Sequence, residues 1–209
     1  MELSILNMAG KETGKKVVLN DAIFGIEPNE HAIYLDVKQY LANNRQGTAK
    51  AKQRSENAHS TRKLGRQKGG GGARPGDFKS PVRVGGGTIF GPVPRSYAFK
   101  LNRKVKQLAR KSAFSLRAKQ NEIIVLDALT FEAPKTKAMV EVLNNLNVAG
   151  KKVTFIVSDA NTNAIKSAAN LQRVNVVSAN ELNTYTIMNS NVVVLTEASA
   201  AAIEATFNA

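Results

Sequence analysis

At 209 residues and 22.5 kDa, with 43% hydrophobic but only 6% aromatic residues and no tryptophan, the chain can bury one core built mainly from aliphatic side chains. It has no run of about 20 apolar residues to cross a bilayer, no secretory leader is expected of a start that reads Met-Glu-Leu-Ser-Ile-Leu-Asn, and the absence of cysteine excludes disulfides, thiolate metal sites and a cysteine nucleophile. The net charge of +14 is concentrated: 20 of the 30 basic residues lie between Arg45 and Lys119 against only Glu56 and Asp77, so that stretch carries +18, while the ten basic and 14 acidic residues elsewhere give −4.

Leu3, Ile5 and Met8, then the Gly-Lys-Glu-Thr-Gly turn of residues 10–14, then Val17 to Leu19, predict two short strands. Asn29 is placed to cap a helix running to about Asn43, with Ile33, Val37, Tyr40 and Leu41 on its apolar face. From Arg45 to about Leu101 the periodicity stops. Ten of the 15 glycines fall between Gly65 and Gly91, and four of the six prolines between Pro75 and Pro94. Polar, basic, glycine-rich sequence buries too little apolar surface to offset chain entropy. An insertion of this length inside a compact domain is usually functional. With two legs of about 25 residues it could reach at most about 80 Å. The expectation is a segment without fixed structure until a polyanion neutralises it.

Order returns at Asn102, a second capping candidate. The helix expected from about Arg103 to Lys119 puts Val105, Leu108, Ala109 and Leu116 on one side. Arg103, Lys106, Arg110 and Arg117 form a separate stripe about 120° away at 100° per residue, available to phosphates. The apolar runs 123–126, 153–157, 174–177 and 192–195 then alternate with helical stretches at about 134–146, 162–171 and 197–207, and a short turn near Glu181 and Leu182. Continuous aliphatic strands separated by helices indicate an α/β fold with a mainly parallel sheet flanked by helices. The expected organisation is a single α/β domain, residues 1–209, interrupted by the long loop 45–101 inserted after the first helix.

Enzyme motifs fail on spacing. A phosphate-binding P-loop needs four residues between its glycine and the Gly-Lys pair; Gly10 to Lys15 supplies three, with no Ser or Thr following. Residues 85–91 miss the dinucleotide spacing by one and do not join a strand to a helix. His31 sits in a helix's first turn and His59 in the basic segment, neither with a second ligand at metal spacing. Glu27 and Glu30 read as helix-entry acids that favour the dipole. Asp127, Ser158, Asp159 and Asn161 cluster at strand ends, where α/β folds bind ligands, yet the same residue types cap helices. No catalytic residue, metal or cofactor is expected.

The basic segment is more than a charged linker, because Phe78, Phe90, Pro92, Pro94 and Tyr97 punctuate Arg74, Lys79, Arg83, Arg95 and Lys100. Glycine allows close backbone approach, arginine forks onto phosphates, and rings stack on splayed bases. That combination points to structured RNA.

In order along the chain stand Arg66-Gln67-Lys68-Gly69, Ala73-Arg74-x-Gly76, Ser80-Pro81, Gly85-Gly86-Gly87, Phe90-Gly91-Pro92-x-Pro94-Arg95-x-Tyr97 and Lys100-x-Asn102-Arg103-Lys104, followed by the run from Glu132 to Lys137. This run resembles the bacterial large-subunit ribosomal proteins of the L-four family, over nearly the whole chain. The resemblance implies a cytoplasmic, non-enzymatic constituent of the large ribosomal subunit. Its globular domain would lie on the subunit's outer surface, and its loop would thread the 23S rRNA. Binding would involve Arg45, Lys50, Lys52, Arg54, Arg62, Lys63, Arg66, Gln67, Lys68, Arg74, Lys79, Arg83, Arg95, Tyr97, Lys100, Arg103, Lys104, Lys106 and Arg110. Arg62, Lys63, Leu64, Gly65 and Arg66, with Gln67 and Lys68 beside them, would form the tip lining the nascent-peptide exit tunnel. Implied partners are neighbouring large-subunit proteins, including the one sharing the tunnel constriction, the passing nascent peptide and the protein's own messenger leader, with no membrane. The family also implies a part in early subunit assembly and an influence of the tip on macrolide sensitivity.

Two departures stand out. Gly65 replaces a usual aromatic, with Leu64 where proline often precedes it, and the common Gly-Thr-Gly-Arg-Ala-Arg reads Gly69-Gly70-Gly71-Gly72-Ala73-Arg74. The alternatives are a translational repressor acting on its own operon, and an α/β RNA-processing enzyme dependent on Asp127 or Asp159.

Overall fold

The computed structural model describes residues 1–158 and 162–208. The chain divides into two compact units, one formed by Met1–Leu41 with Lys100–Ala209 and the other by Ala42–Phe99. In the first, a six-stranded sheet has the order β2-β1-β3-β6-β4-β5, built from β1 (Glu2–Leu6), β2 (Glu12–Val18), β3 (Ile123–Leu126), β4 (Val153–Val157), β5 (Val174–Ser178) and β6 (Val192–Thr196). Among the described residues only the β1–β2 pair is antiparallel; β1–β3, β3–β6, β6–β4 and β4–β5 are parallel. The expected α/β class with a mainly parallel sheet is therefore what forms.

Alternation along the central strands sends side chains to two separate cores. Val193 and Leu195 of β6 and Ile156 of β4 join one cluster with Phe24, Ile33, Phe114, Ile187 and Ile203. These come from α1 (Asp21–Phe24), α2 (Glu30–Asn43), α3 (Arg103–Lys119), α6 (Thr184–Asn189) and α7 (Glu197–Asn208). Val192 and Val194 of β6 with Val153, Phe155 and Val157 of β4 join the other, against Met139, Val142 and Leu143 of α4 (Thr136–Asn145) and Ala164 and Ala168 of α5 (Thr162–Ala168). Burial on both faces explains why these strands read as unbroken aliphatic runs.

Several expectations are corrected. The second strand is Glu12–Val18, longer than Val17 to Leu19. Its turn lies earlier, where the Asn7 Oδ1 accepts from the amides of Ala9 and Lys11 at 3.0 and 2.9 Å. Four-residue α1 was not expected; Asn20 caps it through the Ala22 amide. Beyond the turn near Glu181, α6 forms because Asn183 accepts from the Thr186 amide at 2.8 Å. On α2, Asn29 accepts from the Ala32 amide at 2.9 Å as expected. Tyr40 and Leu41 are nevertheless exposed; Tyr40 lies on Tyr185, ring centres 4.7 Å apart.

On α3 the buried side is Ala109, Ser112, Ala113, Phe114, Ser115 and Ala118, and Leu108 stays exposed. Two serines take core positions because their hydroxyls are satisfied there. Ser115 donates to the Ile23 carbonyl at 3.1 Å, and Ser112 accepts from the Asn29 amide at 3.1 Å. Asn102 precedes the helix without making a side-chain capping bond.

Candidate nucleic-acid interface

Between the end of α2 at Asn43 and the start of α3 at Arg103, the only regular element is a single 3-10 turn, Arg54–Glu56. Within the unit Ala42–Phe99, the chain doubles back on itself through sparse backbone bonds. Arg95 donates to the Gly47 carbonyl at 3.1 Å, Ala51 to Pro92 at 3.0 Å, Thr88 to Lys52 at 3.0 Å and Leu64 to Gly76 at 3.0 Å. The glycines serve two different ends. At Gly47, with φ +67°, a Cβ would sit 2.0 Å from the Arg95 carbonyl oxygen; a side chain there would force the two legs apart. Gly87 is equally confined, since a Cβ would lie 2.4 Å from the Arg54 nitrogen. A Cβ on any of Gly69 to Gly72 would meet nothing closer than 3.9 Å.

Cations dominate this unit's surface. Of the 19 residues expected to bind RNA, 15 are exposed; Lys79, Tyr97, Lys106 and Arg110 are half-buried, and none is buried. Among the described residues, only Lys50 and Arg54 of the cations in Ala42–Phe99 face a carboxylate. Lys50 lies 2.5 Å from Glu56 and Arg54 3.1 Å from Asp77. The Lys50 hydrogen bond, joined by the Gln53 amide, holds the Glu56 carboxyl below its ordinary range. Asp77 is only 8% exposed, so its charge anchors Arg54 and is largely withdrawn from solvent.

Tyr97 is clasped by two guanidinium groups, Arg45 at 3.9 Å and Arg95 at 4.6 Å from its ring centre. The hydrogen bond from Arg95, helped by the charges of Arg95 and Arg45, lowers the phenol's pKa. The residues expected at the tip lie in the region where the chain reverses. Arg62, Lys63 and Leu64 stand on the outgoing leg, Lys63 bonded to the Gln67 side chain, and residues 65–75 lie beyond the Leu64–Gly76 bond. Arg74 donates from Nε to the Gln67 carbonyl at 3.1 Å. At Gly65 a Cβ would touch only the Pro75 ring, at 3.7 Å, so nothing in the protein requires glycine there.

The cationic stripe of α3 is shorter than its sequence suggests. Arg103 and Lys104 are exposed, and Lys106 and Arg110 half-buried, but the Arg117 side chain is only 12% exposed. Its guanidinium is bonded to the carbonyls of Ile187 and Met188, to Gln120 and to Glu122. Arg117 thus satisfies the end of α6 and is not available to a phosphate. Spacing on one helix cannot reveal this, because the carbonyls come from a different part of the chain.

Of the residues considered for catalysis, Asp127 and Ser158 line one recess. Asp127 is exposed beside Thr130 and Ser158 in a recess of about 170 Å³ at the ends of β3 and β4; Asp159 and Asn161 lie outside the described residues. His31 stacks near Tyr34 at 6.4 Å, and His59 lies 6.3 Å from the Phe78 ring. Among the described residues, no three of His, Cys, Asp and Glu gather as a metal set would require.

Phe90, named in the sequence among the segment's aromatics, is absent from the 19 residues expected to bind RNA. Its φ is +53°, a conformation that costs a bulky residue about 1–2 kcal/mol, and its side chain is fully exposed at 103%. It lines a cavity of about 830 Å³ with Arg54, Thr61, Asp77, Lys79 and Ile89. The phenylalanine was visible in the sequence; its backbone conformation was not.

A model of the ribosomal protein L4/L1 family matches residues 17–206. The chain is 60% identical over 209 residues, covering all of both chains, to a protein of Parabacteroides distasonis named large ribosomal subunit protein uL4. Proteins of the same name from Cytophaga hutchinsonii and Flavobacterium johnsoniae are 57% identical over 208 residues and 55% identical over 204 residues. They cover 100% and 98% of each chain respectively.

Proposed function

Because the chain belongs to the ribosomal protein L4/L1 family, we propose that it is a structural constituent of the large ribosomal subunit, held there by 23S rRNA around residues 45–119. The observation that carries this reading is charge segregation, +18 in that stretch against −4 elsewhere. Within Ala42–Phe99 most of those cations have no carboxylate partner among the described residues. Each lysine or arginine that meets a phosphate releases a condensed counterion. Segments of rRNA that would repel one another can then pack against a shared cationic strand.

In this reading Arg62, Lys63, Leu64, Gly65 and Arg66 line the nascent-peptide exit tunnel, next to the loop of a neighbouring ribosomal protein. The full set from Arg45 to Arg110 supports early subunit assembly. A messenger leader would compete for the same basic surface.

Co-sedimentation tests the reading directly: the protein should remain on salt-washed large subunits, and its absence would overturn the assignment. With isolated rRNA, replacing Arg62, Lys63, Arg66, Lys68 and Arg74 by alanine should weaken binding. It should also make the dependence of log affinity on log salt shallower by roughly one unit per lost phosphate contact. Protease should cut the free protein first between residues 45 and 100, and incorporation should protect those sites.

A further inference from the structure

We propose that Phe90 is a base-stacking wedge: an unpaired nucleotide of the bound RNA lies on its ring and seats in the cavity beside it. The inference rests on the RNA-binding reading and adds a residue and a mode of contact to it. The chain on both sides of Phe90 is fastened to the opposite leg. Thr88 donates to the Lys52 carbonyl and Ala51 to the Pro92 carbonyl, both at 3.0 Å. Gly91 packs so closely that a Cβ would fall 2.7 Å from the Ala51 Cβ.

With its neighbours held, Phe90 is the residue that takes the left-handed backbone and puts its ring into water. Strain of this kind persists where the surroundings over-determine it, and such positions cluster at binding sites. Two other rings of the segment are engaged: Tyr97 by Arg45 and Arg95, and Phe78 beside His59.

The cavity beside Phe90 suits a nucleotide. Ile89 and Val93 give it apolar wall, Thr61 and Gln53 offer hydrogen bonds to a base edge, and Lys79 supplies positive charge for the phosphodiester, while Arg54 is paired with Asp77 in the same wall. Base stacking tolerates any aromatic ring and serves unpaired nucleotides, since a base inside a duplex has no free face.

The chain has no tryptophan, so Phe90→Trp gives a single fluorescent reporter at the position in question. On adding large-subunit rRNA stripped of protein, its emission should be quenched and its acrylamide accessibility should fall. Phe90→Leu should bind that rRNA about tenfold more weakly with an unchanged salt slope, and Phe90→Tyr should restore the affinity. Because the ring is exposed, all three variants should melt with the parent.

The proposal is overturned if the Phe90→Trp variant binds rRNA with the parent's affinity and salt dependence while its indole stays as accessible as in the free protein, or if Phe90→Leu binds like the parent. Failure of the parent itself to bind rRNA at low salt would instead remove the RNA-binding reading, and this proposal with it.

Discussion

All five residues of β6, Val192–Thr196, are buried, and the strand pairs in parallel with β3 on one side and β4 on the other. The four glycines of residues 69–72 are all exposed, and a methyl group added to any of them would meet nothing closer than 3.9 Å. The difference separates two ways of specifying a conformation. β6 is specified from within: alternate side chains fill two cores, and every neighbour is part of the same chain. The segment around the glycines has close internal contacts where its own chain meets itself, at Gly47, Gly86, Gly87 and Gly91, and presents cations elsewhere. On the reading proposed above, what completes it comes from outside.

The most demanding test of this distinction is to remove equal rings from each region. Phe114 is fully buried and packs on Phe24 at 5.1 Å, so Phe114→Ala should lower the stability of the free protein by about 3–5 kcal/mol in urea unfolding. Phe90→Leu should change it by less than about 0.5 kcal/mol. Comparable losses would erase the contrast.

A second pair separates the arginines of α3. Arg117→Ala should cost about 1–3 kcal/mol, because buried carbonyls and Glu122 lose their donor. Arg103→Ala should leave the melt unchanged and weaken rRNA binding. The reverse pattern would show the roles to be exchanged.

Smaller effects refine the boundary inside Ala42–Phe99. Gly47→Ala must move a backbone oxygen and adopt a positive φ; it should raise local hydrogen exchange near residues 47 and 95, at a cost of about 1 kcal/mol. Gly70→Ala should alter neither exchange nor stability. The smallest effect is acid release of the 3-10 turn. With its pKa below the ordinary 4.5, the Glu56 carboxylate stabilises the turn fully above that value. The contribution is lost as pH falls through the lower folded value. Amide resonances of Gln53 and Glu56 should therefore shift below the ordinary value of 4.5 while those of β4 and β6 hold. Retention of the turn in acid well below the carboxylate range would show that the carboxylate does not organise it.

The central strands were legible because burial on both faces leaves continuous aliphatic runs, as at Val153–Val157 and Val192–Thr196. The α2 cap was legible because Asn29 acts within its own turn. What escaped depended on distant partners. The first part of β2 escaped because Glu12, Lys15 and Lys16 are exposed and carry no core pattern. The six residues of α6 are too few for a helical period to emerge. Leu108 was assigned inward and Ser112 was not, although serine's hydroxyl finds an amide 83 positions away. Charge made the basic segment conspicuous, but nothing local distinguished Arg117, spent on the fold, from the exposed Arg103. Phe90 was legible as an aromatic and illegible as a strained one.

The absence of strands between α2 and α3 among the described residues has a consequence for chains not yet in their final assembly. Val82, Val84, Ile89, Phe90 and Val93 are all exposed, and apolar residues of this kind on a flat strand edge would invite cross-pairing into aggregates. Here Pro75, Pro81, Pro92 and Pro94 interrupt the donors such a pairing needs, and like charge keeps neighbouring copies apart. The same composition that leaves the segment's cations exposed keeps it from taking a second copy of itself as a partner.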